Sequence, residues 1–243
     1  MPGIDGLHRP RPTALVAIPG TGSDADHVTR SFRRAAADLD VELIALEPTA
    51  SLIDGHRRGL ARAARAHPSV LVGGVSIGAA IALEWALHDG GRQCSGVLAA
   101  LPAWSGDARP APAAASAAAT AESLERDGLE ATIAAMARSS PDWLAAELSR
   151  SWRRLHPGLA GTLREAAGYR APVPAEIAGL AVPIAIVGAP DDPVHPIAVA
   201  REWHAAAPRS VLTEVTLDDW GRDPGVLGNS TRDGIIELTD LEW

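Results

Sequence analysis

The stretch Ser69-Val70-Leu71-Val72-Gly73 runs into Gly74-Val75-Ser76-Ile77-Gly78 and then into Ala79-Ala80-Ile81-Ala82-Leu83-Glu84-Trp85-Ala86-Leu87. The first segment is a short apolar run of the kind that forms a buried strand. The last is an apolar run of good helix formers. Between them sits a Gly-x-Ser-x-Gly pentapeptide, so the sequence predicts a tight strand-to-helix turn with a serine at its apex. Such a bend pushes the serine outward and exposes its hydroxyl, while the flanking glycines keep Cβ atoms out of the crowded corner. The backbone N–H of Ile77, at the helix start, can help hold a developing oxyanion.

Working outward, the same alternation recurs. Thr13 to Ile18 reads as a buried strand, stopped by Pro19-Gly20-Thr21-Gly22, with Ser23 or Asp24 placed to cap a helix through Phe32 to about Leu39. Val41 to Leu46 is the next strand, Ser51 to Ala66 a helix, and Gly96 to Leu101 a strand after the Ser76 helix. Strand, helix, strand repeated in this way predicts a mainly parallel six-stranded sheet with helices on both faces, an α/β fold. Ligands of such sheets bind beyond the carboxyl ends of the strands. Ser76, the Pro19–Gly22 segment and Asp191-Asp192 all fall there.

From about Pro102 to Gly179 the alternation stops. A Pro/Ala-rich stretch over 108–115 reads as a linker, followed by helices over Ala117 to Met136, Pro141 to Leu155 and Pro157 to about Gly168. Residues 103–179 are expected to form a helical cap inserted in one domain spanning 1–243. The sheet resumes at Val182 to Gly188. A helix from Pro196 to Ala207, a strand from Val211 to Leu217 and a last helix from about Pro224 to Leu238 complete the chain. Residues 1–12 read as an irregular arm.

Composition narrows the function. The chain has 243 residues, 47% hydrophobic and 21% charged, with a net charge of −8, which disfavours nucleic-acid and anionic-membrane partners. Its single cysteine, Cys94, precludes an internal disulfide and fits a reducing compartment. The N-terminus carries no signal-peptide pattern, and the Leu71–Leu83 run is too short and glycine-rich to span a bilayer. The expected location is the cytoplasm. The eight histidines are scattered without metal-ligand spacing, and Gly20 and Gly22 are too few for a dinucleotide fingerprint. No metal or cofactor is expected.

With these segments in place the chain resembles the α/β-hydrolase superfamily, in particular its compact actinobacterial-type members with a helical cap. The resemblance covers residues 13 to 240. It implies that Gly74-Val75-Ser76-Ile77-Gly78 is the nucleophile elbow and that Pro19-Gly20-Thr21-Gly22 is the oxyanion loop. That loop would contribute the backbone N–H of Thr21, with Gly20 at the pocket. Gly188-Ala189-Pro190-Asp191-Asp192-Pro193-Val194 resembles the acid loop. Its spacing selects Asp192, with Asp191 as fallback. Members of the superfamily carry Gly-His shortly after the last strand. Here that slot reads Gly221-Arg222, and an arginine cannot accept a serine proton.

The base must then come from elsewhere. His195 is the first choice, because it shares the acid loop and lies between Pro193 and Pro196, which stiffen it. Asp192, Asp218 or Asp219 could orient it. His27, His67, His88 and His204 read as surface residues, and His156 would reach the site only if the cap closed. Trp104, Trp143 and Trp152 could line an apolar acyl pocket; Trp85, Trp203, Trp220 and Trp243 read as packing. The expectation is a serine hydrolase acting on small, fairly apolar esters or thioesters. The competing expectation is a degenerate member that binds a small anion through Arg222.

Overall fold

The computed structural model describes residues 10–239. Six strands, β1 (Ala14–Ile18), β2 (Glu42–Ala45), β3 (Val70–Val75), β4 (Cys94–Ala100), β5 (Ile184–Gly188) and β6 (Ser210–Glu214), form one sheet in the order β2-β1-β3-β4-β5-β6. Every neighbouring pair is parallel. The central strands are buried along their whole length, as continuous apolar runs must be when helices cover both faces.

Side chains that alternate along each strand feed two separate cores. Val16, Ile18, Val72 and Val97 pack with α2 (Leu52–Ala66), α3 (Ile77–His88) and α9 (Ile197–Ala206). Leu15, Ala17, Leu71 and Leu98 pack on the other face with α1 (Ala25–Asp38) and α11 (Gly225–Thr239). The strand order reverses between β1 and β3. That switch point opens a crevice at their carboxyl ends, where the Pro19–Gly22 segment and Ser76 emerge.

Between β4 and β5 lie α4 (Pro112–Asp127), α5 (Leu129–Ser139), α6 (Asp142–Leu155), α7 (Leu159–Ala167) and the short α8 (Pro174–Ile177). Ala121, Leu124, Ile133, Trp152, Leu159 and Leu163 give this group an apolar centre of its own. Two expectations need correction here. The helix anticipated over 117–136 is two helices, because Gly128 adopts φ 81° and ends α4. The 108–115 stretch is only partly a linker, since Pro112 opens α4 at a first-turn position where its missing N–H costs nothing.

The last strand ends at Glu214, short of the expected Leu217. The Thr216 hydroxyl accepts from the Asp219 N–H, and the Asp219 carboxylate accepts from the Thr216 N–H. This reciprocal cap starts α10 (Leu217–Arg222). Residues 10–12 of the expected N-terminal arm have no regular secondary structure. The rest of the arm, and Trp243, lie outside the described residues.

Candidate functional site

Ser76 follows β3 directly and precedes the first residue of α3. Its backbone sits at φ 57° and ψ −119°, a region that costs a non-glycine residue about 1–3 kcal/mol. The surroundings hold it there. The Ser76 N–H donates to the Ala100 carbonyl at 2.9 Å, and the Ser76 carbonyl accepts from the Ala79 and Ala80 amides. The two glycines of the pentapeptide are required by space. A Cβ on Gly74 would lie 2.4 Å from the Ile18 carbonyl oxygen, and one on Gly78 would lie 2.3 Å from the same atom. Small residues here let α3 press against the end of β1.

The loop between β5 and α9 brings the next two groups. Asp192 Oδ1 accepts from the Val194 N–H at 2.7 Å and the His195 N–H at 3.1 Å, an Asx-type turn that folds the loop on itself. Its other oxygen, Oδ2, lies 2.7 Å from His195 Nδ1, and His195 Nε2 lies 3.0 Å from Ser76 Oγ. A carboxylate only accepts, so Nδ1 carries the hydrogen and Nε2 presents its lone pair to the serine hydroxyl. Burial of Asp192 opposes its ionisation. The His195 hydrogen bond and the two loop amides outweigh that cost, and the carboxyl titrates below its ordinary range. A hydroxyl, an imidazole and an ionised carboxylate thus form one hydrogen-bonded line, an arrangement able to draw a proton off Oγ.

Asp191, the fallback, is not part of that line: its carboxylate accepts from the Leu217 amide at 3.1 Å and anchors the start of α10. Asp218 and Asp219 are turned to Arg222 instead.

The Pro19–Gly22 segment lies against the elbow. A Cβ on Gly20 would stand 3.5 Å from Ser76 Cβ. Thr21 is half-buried beside it, and Ile77 opens α3, where first-turn amides have no acceptor inside the helix. Helix α6 clamps this segment from the other side. Ser151 Oγ donates to the Gly22 carbonyl at 2.7 Å, and Arg150 makes a two-pronged contact with Asp24 at 2.7 and 2.9 Å. Asp24 is fully buried and caps α1 through the His27 amide. Burial opposes its charge, yet the Arg150 hydrogen bonds prevail and lower its pKa. Nothing in the sequence around Arg150 and Ser151 announces these partners more than a hundred residues away.

Two expectations about lining residues change, those for Arg222 and Trp104. Arg222 does not face the site: its side chain is 72% exposed and pairs with Asp218 and Asp219 of its own helix. Helix α10, absent from the sequence reading, turns it to solvent. Trp104 is a core residue, its indole N–H donating to the Tyr169 carbonyl at 3.1 Å. Trp143 is half-buried and meets Trp220 edge to face at 4.9 Å.

The histidines sort differently from expectation as well. His27, read as surface, is buried beside Trp220 with its Nδ1 3.6 Å from Glu147, and burial pulls its pKa down. His56, singled out by no motif, is fully buried with neither ring nitrogen hydrogen-bonded. Its signal was present: Leu52, Ile53, His56, Leu60, Ala63 and Ala64 lie on one helical stripe, the core face of α2.

No protein-family model and no curated protein sequence matches the chain. Solved structures do. Rv0554 from Mycobacterium tuberculosis superposes with a TM-score of 0.70 at 19% identity, covering 93% of this chain and 91% of that one. An esterase from Exiguobacterium antarcticum gives 0.68 at 15% identity, covering 90% and 92%. An enol-lactonase from Burkholderia xenovorans LB400 gives 0.64 at 17% identity, covering 87% and 85%. The parallel sheet, the serine at its switch point and these superpositions together give one architecture: the chain has the α/β-hydrolase fold.

Proposed function

We propose that the protein is a serine hydrolase that cleaves carboxylic esters or thioesters of small, fairly apolar acyl groups through a Ser76 acyl-enzyme. The observation that carries this reading is the line from Ser76 Oγ through His195 to Asp192, with separations of 3.0 and 2.7 Å. In this mechanism Oγ attacks the acyl carbon while His195 Nε2 takes its proton. The N–H groups of Thr21 and Ile77 hold the oxyanion that forms, and Asp192 fixes the imidazole and stabilises its charged form. Collapse of the tetrahedral intermediate expels the alcohol or thiol, which receives the proton from His195. Water then attacks the acyl group, with His195 again as base, and frees the acid and Ser76.

Residues 103–179, with helices α4–α8, serve as the cap over the acyl group. Gly20 and Trp143 belong to the pocket rim. The substrate is a small molecule, no cofactor takes part, and the reducing cytoplasm is the working compartment. Arg222, exposed and paired, gives no footing to the alternative of an anion-binding protein.

A fluorophosphonate probe tests the reading. It is expected to label the protein stoichiometrically and to leave Ser76→Ala unlabelled. Equal labelling of both, or of neither, would remove the activated serine.

A further inference from the structure

A main-chain oxyanion donor is effective only if its direction is fixed before the charge develops. The segment that carries Thr21 has little stiffness of its own. Gly20 and Gly22 flank Thr21, and a glycine backbone reaches conformations closed to other residues. The restraint has to come from groups around the segment.

Two hydrogen bonds supply it in series. The Ser23 N–H donates to the Gly20 carbonyl at 3.0 Å, closing a turn in which Gly22 has φ 74°. Ser151 Oγ, on α6, donates to the Gly22 carbonyl at 2.7 Å. A peptide group is planar and trans, so its C=O and N–H point in opposite directions. The Gly22 carbonyl and the Ser23 N–H belong to one such plane. The Gly20 carbonyl and the Thr21 N–H belong to another. The path therefore runs from the Ser151 hydroxyl through two peptide planes and leaves at the Thr21 N–H. Holding the Gly20 carbonyl fixes where that N–H points. Hydrogen bonds joined head to tail also polarise one another, which makes the final N–H a better donor. Among the described residues nothing accepts from the Thr21 N–H. The relay thus ends on a free donor, next to the glycine that lies against Ser76.

Helix α6 is held where the relay needs it. Ser151 is fully buried, and Arg150 beside it makes the two-pronged contact with Asp24. On the other side of Ser151, the Trp152 indole lies close over Gly22, where a Cβ would stand 2.8 Å from Nε1. Ser151 Oγ also reaches the Leu148 carbonyl of its own helix, at the longer distance of 3.2 Å.

We propose that Ser151 is a positioning residue for the hydrolysis: its hydroxyl, acting through Gly22 and Gly20, aims and polarises the Thr21 N–H that receives the oxyanion. This rests on the hydrolase reading above and ties its chemistry to the seating of α6 on the loop.

Steady-state kinetics of the full chain with p-nitrophenyl pentanoate test the role. The oxyanion forms on the way to the transition state, so a misaimed donor lowers kcat and spares KM. Ser151→Ala is expected to lower kcat about ten- to a hundredfold with KM within about twofold, against about 10²–10³-fold for loss of a whole oxyanion donor. Ser151→Cys keeps the volume but donates only weakly. It is expected to lose kcat in the same sense, and it decides the matter where the alanine variant folds poorly. Butyl trifluoromethyl ketone gives a readout that a merely structural role would not move. Ser76 Oγ adds to its carbonyl carbon, His195 takes the serine proton, and the carbonyl oxygen becomes the oxyanion. Its Ki is expected to rise by the factor by which kcat/KM falls.

A kcat within about twofold of wild type in the variants, or a raised KM with kcat unchanged, would overturn the positioning role and leave the hydrolase standing. A lowered kcat with an unchanged Ki for the ketone would overturn it as well. No cleavage by the wild type would remove the hydrolase and this role together.

Discussion

Replacing His195 by alanine is expected to lower kcat/KM for a p-nitrophenyl ester by about 10⁴-fold or more, while Arg222→Ala leaves it within about twofold. At about 1.4 kcal/mol per decade, the first loss amounts to about 5 kcal/mol of transition-state stabilisation. The reason is chemical. A serine hydroxyl at neutral pH is a poor nucleophile until a base accepts its proton, and His195 Nε2, at 3.0 Å, is the acceptor the loop provides. The oxyanion donors and the binding crevice would survive the substitution and account for the residual rate. Arg222, in the slot where the superfamily resemblance puts a histidine, is 72% exposed and engaged by Asp218 and Asp219. Steady-state kinetics of the two variants decide between the positions. A His195→Ala enzyme within tenfold of wild type would dismiss the acid-loop imidazole as the base.

The second large effect concerns stability in acid. His56 is fully buried on the core face of α2, and desolvation pushes its pKa down to about 4. In the unfolded chain the same imidazole titrates near 6.5. The folded state therefore binds the proton less readily than the unfolded state. The stability tied to the neutral ring is fully present above about pH 6.5. It drains as the pH falls towards 4 and levels off below that, a loss of about 3 kcal/mol in all. His27, whose pKa burial also lowers, adds to the loss in the same direction.

His56→Leu removes the larger contribution. It also removes two ring nitrogens that gain no hydrogen bond on folding. Urea unfolding at pH 7.5 and pH 5 is the measurement, and the variant is expected to show a clearly smaller drop between the two than the wild type. An identical drop in both proteins would mean that His56 does not carry the acid sensitivity.

What could be read in advance divides along physical lines. The strands and the elbow were legible because they are local: a β-type run, two glycines, a serine and a helix former in sequence. Asp192 and His195 were legible as candidates for a related reason. Their partnership is closed within four residues by an Asx turn, so the loop sequence holds most of its own geometry. Helix α10 is hidden in the sequence because Leu217 continues the apolar pattern of β6, and only the polar Thr216–Asp219 cap marks where the helix starts. Arg222 was expected at the site because it fills the slot where the superfamily resemblance puts a histidine, and α10 turns that slot to solvent. The helix break at Gly128 was hidden by good helix formers on both sides.

The contacts of α6 with the Gly20–Asp24 segment could not be read at all. Arg150, Ser151 and Trp152 look like any amphipathic helix until the fold brings them against a loop 126 to 130 residues earlier. Nor does burial follow residue type. His27 and His56 are polar side chains on apolar helix stripes, and only packing shows that their rings are held dry.

The account stands most directly on a covalent bond to one oxygen. Rapid acid quench of the wild type with p-nitrophenyl pentanoate, followed by mass spectrometry of the digested protein, is expected to find the pentanoyl group on the peptide containing Ser76. The Ser76→Ala protein is expected to show neither the adduct nor turnover. Turnover that persists in Ser76→Ala, or an acyl group found on another residue, would contradict the assignment.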